Sequence, residues 1–433
     1  IMQAQGNGWF WGDHCYNVKS NYTSSAFRSY DVWYANYKWI ANVNYIIDAE
    51  PEMAGTEADV AYVAGQAYAI RALCYLNLAT WFSRAPYNSL TGASRWNEPC
   101  VPVYTTGTSI DTGGQPRESL RTVYGRIDQD IDRAIELLEK ARETTLAENN
   151  KSHINLYVAL GIKSRACLAE GDWDGAFKAA KRVIDEGGYA VGTKSDLTGG
   201  MNSLDKQNVM WGAGIQVADQ AGGYAGFFTH MDNKEGAYAK SAPKLISKQL
   251  YNRISATDIR RDWWDPSDKE SPYVSKKFSF ANVASFLGDY IYMRVEEMYF
   301  TAAEAALRLD DLKSARELMN TVMAERDPGY SANNRSGTLL GATTTTWTGS
   351  FLENILTHRR IELWGEYGRL FDVRRLGQGI DRRTDDGFSE ECISMMNRRN
   401  VNITKADTYD WVLTIPKAEL DANPNINEED QNP

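Results

Sequence analysis

Histidine is scarce in this chain of 433 residues, and its four copies stand far apart, at His14, His153, His230 and His358. None of them forms a His-x-x-x-His or His-Glu-x-x-His pattern, so a helical zinc site is not indicated. The sequence also lacks a Gly-x-x-x-x-Gly-Lys-Ser/Thr phosphate loop and a Gly-x-Ser-x-Gly elbow in a strand-to-helix turn. We therefore predict neither a metal ion nor another cofactor.

Cysteine is rare as well, and no Cys-x-x-Cys pair occurs among Cys15, Cys74, Cys100, Cys167 and Cys392. Their odd number and wide spacing favour neither a disulfide framework nor a zinc site. Cys74 and Cys167 fall within apolar helical patterns, which predicts buried thiols.

The chain has no excess of positive charge, with a net charge of −10 and a pI near 5.2. A general nucleic-acid binder is therefore not expected, because phosphate contacts require a basic surface. The one long apolar segment, residues 61–82, is interrupted by Gln66, Arg71 and Asn77. It is predicted to be a buried amphipathic helix and not a membrane span.

Helical periodicity is the main structural signal, and it extends over residues 30–48, 59–82 and 119–142. Two further segments, 153–186 and 292–326, each predict two helices joined by a tight turn, in a tetratricopeptide-like pattern. A strand is predicted at residues 209–217. Long tracts rich in Gly, Ser, Thr, Asn and Pro separate the helices, and these tracts are residues 83–118, 187–290 and 327–349.

The last part of the chain contains THRRIELWGEYGRLFDVRRLG at 357–377 and IPKAELDANPNINEEDQNP at 415–433. The first segment is predicted to be one helix, on which charges three residues apart pair along one face: Arg359 with Glu362, Glu366 with Arg369, and Arg369 with Asp372. Earlier segments are GQAYAIRALCYLNLATWFSRAPY at 65–87, VYGRIDQDIDRAIELL at 123–138 and YIYMRVEEMYFTAAEAALRLDDLKSARELMNTVMAER at 290–326. Taken in this order, the motifs resemble the SusD/RagB family of glycan-binding lipoproteins, although His358 stands where that family usually has an acidic residue.

The resemblance implies a mainly α fold, with a tetratricopeptide-like scaffold of helical pairs and a loop-rich irregular face packed on it. We expect a single SusD-like domain over residues 1–433. The helical pairs are expected near residues 59–142, 153–186, 292–326 and 350–377.

The resemblance also implies a function, that of a non-catalytic protein that captures oligosaccharides or polysaccharides. It would deliver them to a SusC-like TonB-dependent transporter at the cell surface of Bacteroidota. A signal peptide, a first helix and a lipidated cysteine that anchors the protein in the outer membrane are expected upstream of residue 1.

Glycan contacts require aromatic faces beside polar side chains, and the chain has 13 Trp and 24 Tyr. The first candidate segment is GNGWFWGDHCYN at 6–17, with Trp9, Trp11, Asp13, Tyr16 and Asn17. Further candidates are Tyr224 with Phe227 and Phe228, and Trp96 with Asn97. The remaining tryptophans on helices or at turns are predicted to be packing residues, namely Trp33, Trp39, Trp81, Trp173, Trp263, Trp264 and Trp364.

A glycoside hydrolase would need two carboxylates placed across a sugar-binding cleft. The available carboxylates lie on amphipathic helices, where exposure or ion pairing is expected, at Glu296, Glu297, Glu304, Glu362 and Glu366. We therefore predict that the protein is not an enzyme. Two alternatives stay open, a tetratricopeptide scaffold that binds a protein partner and an all-α glycoside hydrolase.

Overall fold

A computed structural model describes residues 2–3, 27–109, 111–144, 146, 150–216, 226–381, 404–405 and 408–433. Helices dominate this part of the chain, and the predicted mainly α fold is confirmed. The longer helices are α1 (Phe27–Ala49), α2 (Glu57–Phe82), α3 (Leu120–Lys140), α4 (Leu156–Glu170), α5 (Trp173–Glu186), α10 (Val295–Arg308), α11 (Leu312–Ala324), α12 (Phe351–Glu362) and α13 (Arg369–Leu376). The shorter ones are α6 (Lys194–Thr198), α7 (Phe227–Met231), α8 (Ala237–Ser241), α9 (Lys248–Tyr251) and α14 (Lys417–Ala422).

Side-chain caps start the scaffold helices. Thr56 accepts a hydrogen bond from the Asp59 backbone N–H at α2, and Ser119 does the same for Thr122 at α3. Such caps satisfy backbone donors that the first helical turn leaves without partners. Gly171, at φ +78°, ends α4 in the left-handed conformation, and Asp172 caps α5 immediately afterwards. This glycine-to-aspartate step makes the tight helix–turn–helix possible.

The long helices pack in sequence, α1 on α2, α2 on α3, α3 on α4 and α4 on α5; α10 then packs on α5, α11 and α12. Small side chains on α2 allow close approach, since Ala64, Ala69 and Ala72 are fully buried. Cys74 and Cys167 are buried in the same core, as predicted. No helix within the described ranges is both long and apolar enough to cross a membrane.

The tract between α5 and α10 contains the short helices α6, α7, α8 and α9 and most of the strands. The strands are β1 (Met2–Gln3), β2 (Val209–Ala213), β3 (Lys244–Leu245), β4 (Trp264–Asp265), β5 (Val274–Ser275) and β6 (Tyr290–Arg294). One small sheet has the order β1-β3-β5-β4, and β2 pairs antiparallel with β6. Trp263, Trp264 and Trp364 form part of a second core there, which confirms their predicted packing role.

The prediction of one continuous helix over residues 357–377 is wrong, because α12 ends at Glu362 and α13 begins at Arg369. Gly365 and Gly368 between them have φ +77° and +116°, a backbone region that favours glycine. Lys277 stabilises the break, since its Nζ donates to the carbonyl oxygens of Glu362 at 2.7 Å and Trp364 at 2.8 Å.

The predicted pairing of Arg359 with Glu362 along one helical face is also wrong. Arg359 instead pairs with Asp372 across the break, at 2.9 Å between Nε and Oδ2, and with Glu297 on α10. Glu362 receives Arg260, Arg294 and Arg326 from other elements. Helix α12 is buried, so its charged side chains do not pair along a solvent-exposed face. They pair instead with charged residues of the elements that cover the helix.

Candidate ligand-binding site

An open cavity of ≈ 670 Å³ lies where α1, α2 and α4 approach strands β2 and β6 and the turn after α12. Its lining is mostly apolar and rich in aromatic side chains. The lining residues are Trp39, Ile70, Leu73, Cys74, Asn77, Arg165, Met201, Trp211, Phe227, Phe278, Tyr290, Ile291, Tyr292, Gly365, Glu366 and Tyr367. Its size and composition are typical of a small-molecule binding site.

The aromatic rings of the cavity differ in exposure. Trp39 on α1 is 51% exposed and Tyr292 on β6 is 41% exposed, so both rings lie at the mouth. Phe278 and Met201 are buried and line the interior. The cavity therefore has exposed aromatic rings at its mouth and an apolar interior.

Local structure explains how these rings come together. Tyr290, Ile291 and Tyr292 follow one another on β6, where a register shift against β2 interrupts the regular alternation of side chains, and all three line the cavity. Trp211 comes from the paired strand β2, and its ring centroid lies 5.0 Å from that of Tyr292, at an angle of 67°. Phe227 on α7 contacts Phe278 edge-to-face, with ring centroids 5.2 Å apart. Edge-to-face packing of this kind holds the rings in defined orientations.

Arg165 is a charged group at the cavity wall, and its guanidinium is already paired. It makes a bidentate interaction with Glu297 at 2.9 and 2.7 Å. It also donates to the carbonyl oxygen of Tyr292 at 2.9 Å and stacks 3.9 Å from the ring centroid of Tyr367. Arg165 thus fixes two aromatic lining residues in place, and its charge is compensated by Glu297.

Glu366, the acidic residue of the wall, is paired in the same way. Its two carboxylate oxygens accept from Arg294 at 2.8 Å each, and Lys277 donates to Oε1 at 2.5 Å. Burial alone would raise the pKa of Glu366, but the positive charges of Arg294 and Lys277 hold that pKa below its ordinary value. The Glu366 side chain is therefore an ionised structural group.

Behind this wall lies a buried ion network centred on Glu362. Its carboxylate pairs with Arg260 and Arg294 at 3.0 Å each and with Arg326 at 2.9 Å. Burial opposes the charge, yet these three guanidinium groups hold the pKa of Glu362 well below its ordinary value. The network joins the α12–α13 turn to β6 and to the chain after α11, so it positions the cavity wall.

Two family models match the chain. One, described as the SusD family, matches residues 234–433, and the other, described as starch-binding associating with outer membrane, matches residues 4–168. The chain belongs to the SusD/RagB family. No curated protein matches it.

Solved structures of SusD-like proteins share this fold. A SusD-like carbohydrate-binding protein from Bacteroides vulgatus has a TM-score of 0.77 at 24% identity, over 99% of this chain and 89% of that chain. A SusD superfamily protein from Bacteroides thetaiotaomicron has a TM-score of 0.77 at 21% identity, over 100% and 91%. Surface glycan-binding protein A from Bacteroides uniformis has a TM-score of 0.65 at 18% identity, over 97% and 88%.

Only part of the predicted glycan site can be located in this SusD-family structure. Phe227 lines the cavity, and Phe228 is buried behind it. Trp96 is half-buried against Tyr124, and Asn97 is exposed. Neither of these two lines the cavity. Six of the predicted residues lie outside the described residues, namely Trp9, Trp11, Asp13, Tyr16, Asn17 and Tyr224.

The prediction that Trp39 is a packing residue is wrong, because its ring is half-exposed at the cavity mouth. Trp33, on the same helix, is buried as predicted. Trp211 and Tyr292 were not predicted as site residues. The available signal was the predicted strand at 209–217, which contains Trp211, and the Tyr-x-Tyr alternation of residues 290–292.

A second, smaller pocket of ≈ 260 Å³ lies on the other side of α1. Tyr37, Tyr104 and Glu419 contribute to its lining, and Glu419 also accepts a hydrogen bond from the Trp33 indole at 3.2 Å. Among the described residues, no group of three or more His, Cys, Asp or Glu side chains is placed to hold a metal ion. The larger cavity is therefore the candidate site, because it combines size with exposed aromatic faces.

Proposed function

We propose that this SusD-family protein is a non-catalytic glycan-binding protein of the bacterial outer membrane. It captures oligosaccharides at the aromatic cavity and delivers them to a SusC-like TonB-dependent transporter. The observation that carries the proposal is the pair of exposed rings, Trp39 and Tyr292, at the mouth of a preformed cavity.

The chemistry of the mouth suits a sugar. A pyranose ring presents C–H groups on its faces, which pack on aromatic rings, and hydroxyl groups at its edge, which need hydrogen-bond partners. Trp39 and Tyr292 offer exposed aromatic faces, and Asn77 adds an amide at the lining. Binding of this kind needs no bond chemistry, and it allows release to a partner.

The state of the carboxylates supports a binding role. A general acid for glycoside hydrolysis needs a raised pKa. At the cavity wall, the positive charges of Arg294 and Lys277 lower the pKa of Glu366. On α10, the positive charge of Arg375 lowers the pKa of Glu304. Among the residues that the structure describes, the carboxyl groups with a clearly raised pKa are Glu170 and Asp128, and neither lines the cavity.

Family membership supports the cell-surface part of the proposal. One matching model describes starch binding in association with the outer membrane, and one structural relative is a surface glycan-binding protein. The lipid anchor and the transporter partner follow from the family resemblance. Co-purification of the full-length protein with its membrane partner from detergent extracts tests delivery, and a TonB-dependent transporter is the expected companion.

Substitution of Trp39 by alanine tests the site. Electrophoresis through gels that contain single polysaccharides should show retarded migration of the wild-type protein in at least one gel. Trp39→Ala should weaken that interaction about tenfold or more, because a large stacking face is lost. The matched control is Tyr34→Ala, which removes another exposed aromatic ring of α1, one that does not line the cavity.

The same gels separate the alternatives. Retardation without new reducing ends agrees with capture, whereas released reducing ends would indicate a glycoside hydrolase. A protein-binding scaffold would show no retardation with any polysaccharide. Retardation that Trp39→Ala leaves intact but Trp9→Ala with Trp11→Ala abolishes would move the site to residues 6–17.

A further inference from the structure

The interior of the cavity has a different chemistry from its mouth. Phe227, Phe278, Met201, Ile291 and Leu73 surround the interior with apolar groups. The two charged side chains of the wall already have partners, as Arg165 is paired with Glu297 and Glu366 with Arg294 and Lys277. The interior is therefore poor in groups that could receive new hydrogen bonds.

This chemistry discriminates between the parts of a glycan ligand. Burial of a hydroxyl group without a hydrogen-bond partner is unfavourable, and an unsubstituted sugar ring carries several hydroxyl groups. Burial of an apolar ring in the same place is favourable, because its apolar surface is removed from water. A sugar is thus favoured at the mouth and an apolar group in the interior.

We infer that the cavity is selective for glycans that carry an aryl substituent. The sugar lies against Trp39 and Tyr292, and the aryl group enters the apolar interior, where it packs on the edge-to-face pair of Phe227 and Phe278. This inference rests on the proposed glycan-binding function and adds the chemical class of the ligand to it.

An aromatic substituent fits the interior better than a flexible alkyl chain. Phe227 contacts Phe278 with an interplanar angle of 90°, and it lies 6.0 Å from the ring of Tyr290 at 61°. A further ring that packs edge-to-face on such an array is stabilised by more than the burial of its apolar surface. A rigid aryl group also loses less conformational entropy on burial than an alkyl chain does.

The test compares methyl and phenyl glycosides of the same sugars, namely glucose, galactose, mannose and xylose, by isothermal titration calorimetry. The phenyl glycoside should bind about tenfold or more tightly than its methyl partner for at least one sugar. Ile291→Thr should reduce this ratio several-fold, because it replaces an apolar ethyl group of the cavity lining with a hydroxyl group. Phe227→Ser is a second variant with the same expected effect.

The matched control is Ile46→Thr, the same substitution at an exposed residue that does not line the cavity. It should leave the ratio unchanged. Equal affinity for both members of every pair, or no binding of any phenyl glycoside, would overturn the inference.

If the affinities for phenyl and methyl glycosides are nearly equal and the protein is still retarded in polysaccharide gels, the inference is overturned and the proposed function stays intact. If phenyl glycosides bind much more tightly than methyl glycosides but no polysaccharide gel retards the protein, the proposed function is overturned. The glycan part of the inference is overturned with it.

Discussion

At the scale of single residues, the candidate site depends on a few aromatic rings held by charged neighbours. Arg165 stacks on Tyr367 and donates to the backbone of Tyr292, so a charged side chain fixes two lining residues. A fixed ring loses little entropy when a ligand packs on it. The buried ion pairs thus hold the lining residues in position, while the exposed aromatic rings contact the ligand.

Glu170, at the end of α4, is expected to make stability depend on pH. Burial, together with the negative charges of Asp128 and Asp172, raises the pKa of Glu170 from 4.5 to about 8. The folded protein therefore favours the protonated carboxyl group. Its contribution to stability is fully present below the ordinary pKa and is lost as the pH rises toward 8.

Glu170→Gln should therefore raise the free energy of unfolding by about 1–2 kcal/mol at pH 8 and change it little at pH 4.5. Urea unfolding at the two pH values measures the difference. Glu143→Gln, at an exposed carboxylate, is the control and should have no effect at either pH. A gain from Glu170→Gln of equal size at both pH values would contradict the assignment.

Residue patterns predicted burial better than exposure. Trp33 and Trp39 lie on the same helix but leave it about 120° apart, and only Trp33 is covered. Periodicity gives the angle at which a side chain leaves its helix, but it does not show which neighbouring element covers that side. The exposure of Trp39 depends on the position of β2 and β6, which are distant in sequence.

At the scale of elements, the helix break between Glu362 and Arg369 shapes the cavity wall. A Cβ atom at Gly365 would lie 2.5 Å from Cε2 of Phe278, so the turn can approach the aromatic interior only with glycine there. Gly365, Glu366 and Tyr367 of this turn all line the cavity. The two glycines were visible in the sequence, but the surrounding helical periodicity outweighed them in the prediction.

The buried network that holds this turn should be sensitive to the loss of one charge. Glu362→Gln would leave Arg260, Arg294 and Arg326 with one carboxylate fewer in a buried environment. The free energy of unfolding should fall by about 3–5 kcal/mol, as is usual when one partner of a buried pair is removed. Chemical denaturation monitored by circular dichroism measures this loss.

Glu317→Gln is the matched control for that variant. Glu317 lies on the exposed side of α11, 3.9 Å from Lys313, and its removal should change the free energy of unfolding by less than about 1 kcal/mol. Equal effects of the two substitutions would show that the network around Glu362 does not stabilise the fold. The partners of Glu362 could not be predicted, because they come from three different parts of the chain.

At the scale of the whole molecule, the order of the motifs carried the family assignment. The segments at 65–87, 123–138, 290–326 and 415–433 resemble one family only when taken together, and the family models match most of the chain. The helical pairs could be predicted because their apolar spacing is local. The candidate site could not be predicted in this way, because α1, α2, α4, β2, β6 and the turn after α12 all contribute to it and lie far apart in the sequence.

An experimental structure of the protein with a bound oligosaccharide, taken from a polysaccharide that retards the protein in gels, would show directly where the sugar binds. The account predicts density for a sugar ring against Trp39 and Tyr292 at the mouth of the cavity, with the glycosidic bonds intact. Density only at another surface, such as that of Trp96 and Asn97, or a cleaved ligand, would contradict it.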